Sequence, residues 1–462
     1  MTPVTFRGRA AGAIGTPGVE ATARGARRFT NGRLRAVSQF APFEELRDQA
    51  RTIRLETIAN LDHHIELFAQ SVTEVGGEVV MAKDAASACR AVVDVALQEN
   101  VQLAVKSKSM ISEEIELNHA LQAAGVDVVE TDLGELIVQL AEDRPSHIIA
   151  PVLHRTRQEI GRLFADRLGV AYTEEPSELN QIARSFLREK FLRAQLGVSG
   201  VNFGVAATGS ICTVTNEGNG RLVTTAPKTH VALMGIERLV PGMAELAVML
   251  ELLARSATGQ RLSVYTNIVT GPRRSDEPDG PDRLVVVMVD NGRSALLGTD
   301  LEESLACIRC GACLNICPVY RTTGGHAYGS VYSGPIGAVL SPALFGEDFA
   351  DLPYASSLCG ACREVCPIRI DLPRMLLALR AKAVADGHPP AGLAAAISAY
   401  AWAATDRRRW AVLLAAGGMA ARLIDRQGWI TGLPGPGRGW TSARDLPAPP
   451  ARIFRRRWQT RS

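Results

Sequence analysis

Seven of the nine cysteines in this 462-residue chain fall between Cys307 and Cys366. The first half of the group runs Cys307-x2-Cys310-x2-Cys313-x3-Cys317-Pro318, and the second runs Cys359-x2-Cys362-x3-Cys366-Pro367. In such a run the three closely spaced thiolates wrap a short loop around one cluster. The fourth, followed by proline, starts the next turn, points away and serves the other cluster. This crossover rule gives one [4Fe-4S] cluster Cys307, Cys310, Cys313 and Cys366, and gives the second Cys317, Cys359 and Cys362. A tetrahedral zinc uses four ligands, fewer than this module offers. Thiolate sulfur at this density selects iron–sulfur chemistry instead.

Two cubanes with all-cysteine ligation need eight thiolates, and the module has seven. Three residues before Cys359, where a full repeat places its first cysteine, stands Ser356. Three arrangements remain open: Ser356 or another oxygen holds the fourth iron, the second cluster is [3Fe-4S], or a partner, water or substrate meets an open iron. Cys89 and Cys212 lie on a helix or strand of the preceding sheet region and read as core. The 41 residues between Cys317 and Cys359 exceed the spacing of small ferredoxins and suggest a helical module built as an electron relay.

Charge adds little, since 51 basic against 48 acidic residues leave +3, which is no footprint for nucleic acid. Cysteines spaced for metal rather than for disulfides point to a reducing cytoplasm. The apolar stretch Trp410 to Leu423 is too short for a membrane span and carries Gly417, Gly418 and Arg422, so it reads as a soluble or interfacial helix with peripheral membrane contact at most. Residues 1–37 hold seven Arg and one Glu without a following apolar region, which argues against export.

Residues 1–40 read as a loosely structured basic arm. Apolar residues recur at helical spacing from Pro42 to Phe68. Short apolar runs then alternate with helices: strands at Gly77–Ala82, Val101–Val105, Val126–Glu130 and His147–Val152, and helices at Asp84–Gln98, Ser112–Ala124, Thr156–Leu168 and Glu178–Leu196. That order predicts an α/β fold with an open, mostly parallel sheet. β-Branched segments within Gly200–Thr215 and at Leu222–Thr225, Val231–Gly235, Leu262–Ile268 and Leu284–Asp290 read as further strands. The division is then 1–40 arm, 41–298 α/β domain, 299–386 helical ferredoxin-like dicluster domain, and 387–462 small helical region with a Pro/Gly-rich basic tail ending in Arg455, Arg456 and Arg457.

Outside the cysteines, Lys106-Ser107-Lys108-Ser109 follows a strand and precedes a helix, a place for an anion such as a carboxylate or phosphate, with a solvated turn as the alternative. Glu130 to Glu135 ends the next strand, where open α/β sheets form ligand crevices. Asn216 to Arg221 has the composition of a hairpin turn. His147, His154 and His230 lack metal-ligand spacing and read as structural. No Gly-x-Gly-x-x-Gly follows an early strand, so neither NAD nor flavin is assigned.

The segments VKSKSMISEEIELNHAL, VVETDLGELIVQLAEDRPSHIIAP, TVTNEGNGRL, CIRCGACLNICPVYR and LCGACREVCPIRIDLP together resemble the lactate utilisation protein B family, the iron–sulfur subunits of bacterial L-lactate oxidising complexes. The likeness spans about residues 40–445. It implies an α/β domain similar to the sugar-phosphate isomerase and CoA-transferase fold, then a helical two-cluster ferredoxin. It implies the seven cysteines as ligands, with the seven-cysteine pattern being the family's own. It also implies two partner subunits, one cysteine-rich and one a smaller α/β relative. The expected role is a non-flavin iron–sulfur component passing single electrons as L-lactate becomes pyruvate, its downstream acceptor unassigned. Two rival readings are a catalytic subunit binding a 2-hydroxy acid at Lys106–Ser109 beside an open iron, and an iron–sulfur scaffold subunit of another oxidoreductase.

Overall fold

A computed structural model describes residues 5–387, 392–423, 427–442, 444–448 and 458. Ten strands belong to the first of two compact units, which ends at Ala383: β1 Glu78–Ala82, β2 Leu103–Lys106, β3 Asp127–Glu130, β4 Leu196–Gly200, β5 Phe203–Val205, β6 Ser210–Thr215, β7 Thr229–Gly235, β8 Leu239–Val240, β9 Tyr265–Val269 and β10 Arg283–Val289. Six of them form a sheet in the order β1-β10-β7-β4-β2-β3, parallel at every pairing. β5, β6, β8 and β9 make a smaller mixed sheet.

The large sheet is covered on both faces, as parallel sheets require. Val231, Leu233, Val285 and Val287 meet Val92, Val95, Leu117 and Leu121 on one side. Ala232, Met234, Val286 and Met288 meet Phe68 and Val72 on the other. This is why the central strands carry unbroken apolar runs rather than an alternation.

The first 40 residues are not a loose arm. They form helices Phe6–Ala13 and Pro17–Ser38. Each starts on a threonine cap, Thr5 and Thr16 accepting backbone N–H bonds from Gly8 and Val19. Their polar residues have internal partners: Arg9 donates to the carbonyls of Ala327 and Tyr328, and Arg33 to that of Val365 at 3.0 Å. Two further helices, Phe43–Ala59 and Leu61–Glu74, follow where helical periodicity predicts them.

Three local expectations are corrected. His147–Val152 is an irregular loop: Nδ1 of His147 accepts the N–H groups of Ile149 and Ala150, turning the chain on itself. Leu222–Thr225 belongs to the helix Asn219–Thr225, whose Val223 packs beside Phe164 and Leu136; Asn216–Arg221 therefore leads into a helix and is not a hairpin. Ser112–Ala124 is two short helices, Met110–Glu114, capped by Ser109, and Leu117–Ala123, parted at Glu116 with φ 55°.

One apolar core runs through the expected junction at 298/299. It joins Phe43, Ala50 and Ile58 with Leu246, Met249 and Leu252, and with Ile308, Leu314, Tyr320, Ile336 and Ile368 of the cysteine module. The second unit begins at Val384. It contains helices Leu393–Ala404 and Arg407–Leu423 and a two-stranded antiparallel ribbon, Trp429–Ile430 with Leu446–Pro447. The arginines at 455–457 lie outside the described residues. No helix among the described residues is long and apolar enough to cross a membrane.

Candidate iron–sulfur centre and adjoining cavity

The two halves of the cysteine module are local copies. Cys310-Gly311-Ala312-Cys313 and Cys359-Gly360-Ala361-Cys362 each turn through a glycine with positive φ, 74° at Gly311 and 81° at Gly360. This conformation needs glycine's freedom. Each leads into a five-residue helix, Ala312–Ile316 or Ala361–Val365. Each helix ends on a cysteine, Cys317 or Cys366, with the same φ −66° and ψ 122°. Pro318 or Pro367 follows and blocks continuation of that helix. The two helices pack on each other and bring the halves together.

The thiols fall into two neighbourhoods. Cys307, Cys310, Cys313 and Cys366 line one small cavity. Cys359 acts electrostatically on both Cys317 and Cys362, and Cys317 on Cys362, which also acts on Cys313 at the border of the two groups. Cys310, Cys313, Cys317, Cys362 and Cys366 are buried, Cys307 is half-buried, and Cys359 is exposed. Burial pushes the Cys366 thiol up to about 11 and that of Cys362 to about 12, and neighbouring thiols add to the rise. Cys359 moves the other way, lowered by the N–H of Ala361 and by Ser357.

This donor set fits an iron–sulfur group. None of the seven is in a disulfide, and thiols gathered away from water suit a metal cation, which favours their thiolate form. Arginines hold the surrounding backbone. Arg47 donates to the carbonyl of Cys366 at 2.8 and 3.0 Å and to that of Glu364 at 2.9 Å. Arg238 donates to the carbonyl of Cys307 at 2.7 Å. Arg54, 1% exposed, donates to the carbonyls of Glu237, Leu239, Leu305 and Ala306.

Ser356 lies at the loop entry of the second half, half-buried, its Oγ accepting the Leu358 N–H at 3.1 Å. The matching bond in the first half runs from Arg309 N–H to Cys307 Sγ at 3.4 Å. Cys89 is half-buried and accordingly raised, as is the buried Cys212, pushed to about 12; among the described residues no cysteine acts electrostatically on either.

A second, larger cavity of about 570 Å³ opens at the carboxyl ends of β2, β4 and β7 and reaches Arg309 between two of the cysteines. Ligand crevices of open α/β sheets occur at this end of the strands. The Lys106–Ser109 run divides here. Lys106 is wholly buried and spent on Ser112 at 2.8 Å, Glu113 at 2.9 Å and Glu130 at 2.8 Å. Ser109 caps its helix. Ser107, Lys108 and Ser109 line the cavity, with Asp132 and Glu217. Burial pushes Glu217 up to about 7, an effect that Asp132 increases, while nearby Glu135 rises to about 8.

His147 donates from Nε2 to Asn315 at 2.9 Å, and His230 pairs with Ser199 at 2.8 Å; burial lowers both to about 4. His154 meets Asp143 at 3.0 Å, close to His326.

The sequence reading missed the arginines and the network joining sheet to cysteine module. Arg293 bonds Glu114 at 2.7 Å and Glu237 at 2.8 Å, Arg309 bonds Glu237 at 3.3 Å, and Tyr332 donates to Glu114. Only Arg309, lying between two cysteines, carried a positional signal.

The LUD domain family matches residues 65–289, and the 4Fe-4S dicluster domain family matches residues 303–370. Lactate utilization protein B of Bacillus licheniformis is 48% identical over 92% of this chain and 89% of its own. The Bacillus subtilis protein of the same name is 46% identical over 93% and 90%. An uncharacterized electron transport protein of Escherichia coli, YkgF, is 45% identical over 94% and 92%. Identity at this level along nearly the whole length, through both the LUD and the dicluster regions, places the chain in the lactate utilization protein B family.

Proposed function

We propose that this chain is the iron–sulfur electron-transfer subunit of a system that oxidises L-lactate to pyruvate. The observation that carries the reading is the pair of matching Cys-Gly-Ala-Cys loops, each closed by Cys-Pro and packed on the other. Cys307, Cys310, Cys313 and Cys366 would hold one [4Fe-4S] cluster, and Cys317, Cys359 and Cys362 the second. When bound, such clusters accept and return single electrons. The chain's own contribution is to bury five of the seven thiols and to fix their loops by arginine bonds to backbone carbonyls.

The names of the relatives support a place in lactate utilisation, and that of the Escherichia coli relative supports electron transport. In this reading residues 41–298 form the lactate-utilisation domain and residues 299–386 the dicluster domain. Two partner subunits complete a cytoplasmic complex that touches the membrane only peripherally.

Anaerobic purification with iron and sulfide counting and EPR tests it. About seven or eight irons per chain, reduced reversibly on adding lactate with the partner subunits, is the expected result. Bound zinc, or clusters that are not reducible, overturns the reading. So does lactate oxidation by this chain alone with an artificial acceptor.

A further inference from the structure

The large cavity contains two polar groups that the fold leaves without partners. Ser107 is 4% exposed, yet its Oγ has no hydrogen-bond partner among the described residues. Its neighbour Lys108 is half-buried and has no hydrogen bond or ion pair among them, in contrast to Lys106 two residues earlier. Buried polar atoms are satisfied in more than about nine cases in ten. An orphaned hydroxyl and an unpaired ammonium lining one cavity therefore mark a place where a ligand completes the bonding.

The surroundings restrict the ligand. A cation and a hydroxyl donor together suit a carboxylate. Asp132 and Glu217 face the same space and, with Glu135, are the acids that act on Lys108. The cavity's arginines, Arg238, Arg293 and Arg309, are engaged by the Cys307 carbonyl and by Glu237, while a carboxylate such as Glu217 accepts a hydrogen bond from an alcohol. One oxygen of Glu217 takes the Leu133 N–H at 3.2 Å and leaves the other for that purpose. Much of the remaining wall is apolar, including Ile111, Ile148 and Val201, and the volume is far larger than a three-carbon acid needs.

We propose that this cavity binds 2-hydroxy acids, the carboxylate held by Lys108 Nζ and Ser107 Oγ and the hydroxyl donating to Glu217, with room for side chains longer than methyl. The choice of a hydroxy acid rests on the function proposed above; the existence of the site rests on its geometry. Lys106, assigned to the anion site by sequence, is a positioning residue that anchors Glu130 and the loop carrying Ser107.

The experiment is calorimetric titration of the full, cluster-loaded chain, without partners, using L-lactate, L-2-hydroxyisocaproate, L-lactamide, L-alanine and inorganic phosphate. Both hydroxy acids should bind, with lactamide at least about tenfold weaker because it lacks the charge that Lys108 receives. K108M should lose about tenfold or more for lactate and K108R should recover part of it, both with wild-type iron content and visible spectrum. Equal binding of lactamide, tighter binding of alanine or phosphate, unaltered affinity in K108M, or no heat with either hydroxy acid overturns the proposal. Those results with reducible clusters present leave the relay reading standing. Missing or irreducible clusters sink that reading instead, and lactate affinity that K108M abolishes would still support the site.

Discussion

Ser356 occupies in the second cysteine loop the position that Cys307 occupies in the first, each accepting the N–H of the residue two places on, at 3.1 Å from Leu358 and 3.4 Å from Arg309. The backbone is thus already shaped to present a sulfur there, and the shortfall of one thiolate comes from side-chain identity.

Ser356→Cys should therefore supply the eighth thiolate without remodelling the loop. The expected outcome is a gain of about one iron per chain and loss of any three-iron EPR signal. Unchanged iron content and spectra in a well-folded variant would show that the fourth iron has another ligand.

Arg54 is the buried post on which the carbonyls of Glu237, Leu239, Leu305 and Ala306 converge. Arg54→Met keeps much of the volume but strands those acceptors, at roughly 1–3 kcal/mol each. Thermal melting followed at the cluster absorbance should fall well below wild type, with iron released in the same transition. A melt within a degree of wild type would mean that water replaces the guanidinium.

Cys359 is exposed and its thiol is lowered by the Ala361 N–H, whereas Cys212 is buried and raised to about 12. After chelation under reducing conditions, Cys359 should alkylate at least about tenfold faster than Cys212, as read by peptide mass spectrometry. In the loaded chain the Cys359 signal should disappear, so its labelling measures occupancy of the second site.

Glu135 and His230 bracket the pH range of stability. Burial raises Glu135 to about 8, so the native state holds a proton that the unfolded chain releases near 4.3. Stability from this group is present below about 4.3 and is lost as pH rises towards 8. Burial lowers His230 to about 4, so its contribution is present above about 6.5 and is lost as pH falls towards 4. Denaturation midpoints across pH 5–9 should fall less steeply on the alkaline side in Glu135→Gln. An identical alkaline slope in that variant would refute the assignment.

What the sequence disclosed follows from how local each signal is. Cysteine spacing and the apolar runs of β7 and β10 are written in consecutive residues, so the cluster module and the parallel sheet were legible. The role of the N-terminal arginines was not, because their partners are backbone carbonyls distant in sequence: Arg47 reaches Cys366 across 319 positions. A carbonyl has no residue type to recognise. The stretch 147–152 was misread because Ile148, Ile149 and Val152 carry strand propensity while the decisive bonds come from the His147 ring. At Lys106–Ser109 the chemistry was visible, but which lysine was free depended on Glu113 and Glu130 arriving from other elements.

The arginine frame also imposes an order on biosynthesis. Its helices leave the ribosome first, whereas the loops they grip, ending near Arg369, come more than three hundred residues later. The large sheet waits likewise, because β10 inserts between β1 and β7. A nascent chain stopped before Arg283 lacks β10 and the carbonyls of Cys366 and Arg369 that Arg47 and Arg51 grip. Both sides of that joint, the arginines near the start and the loop around Cys366, are therefore together only once the cysteine module has been translated.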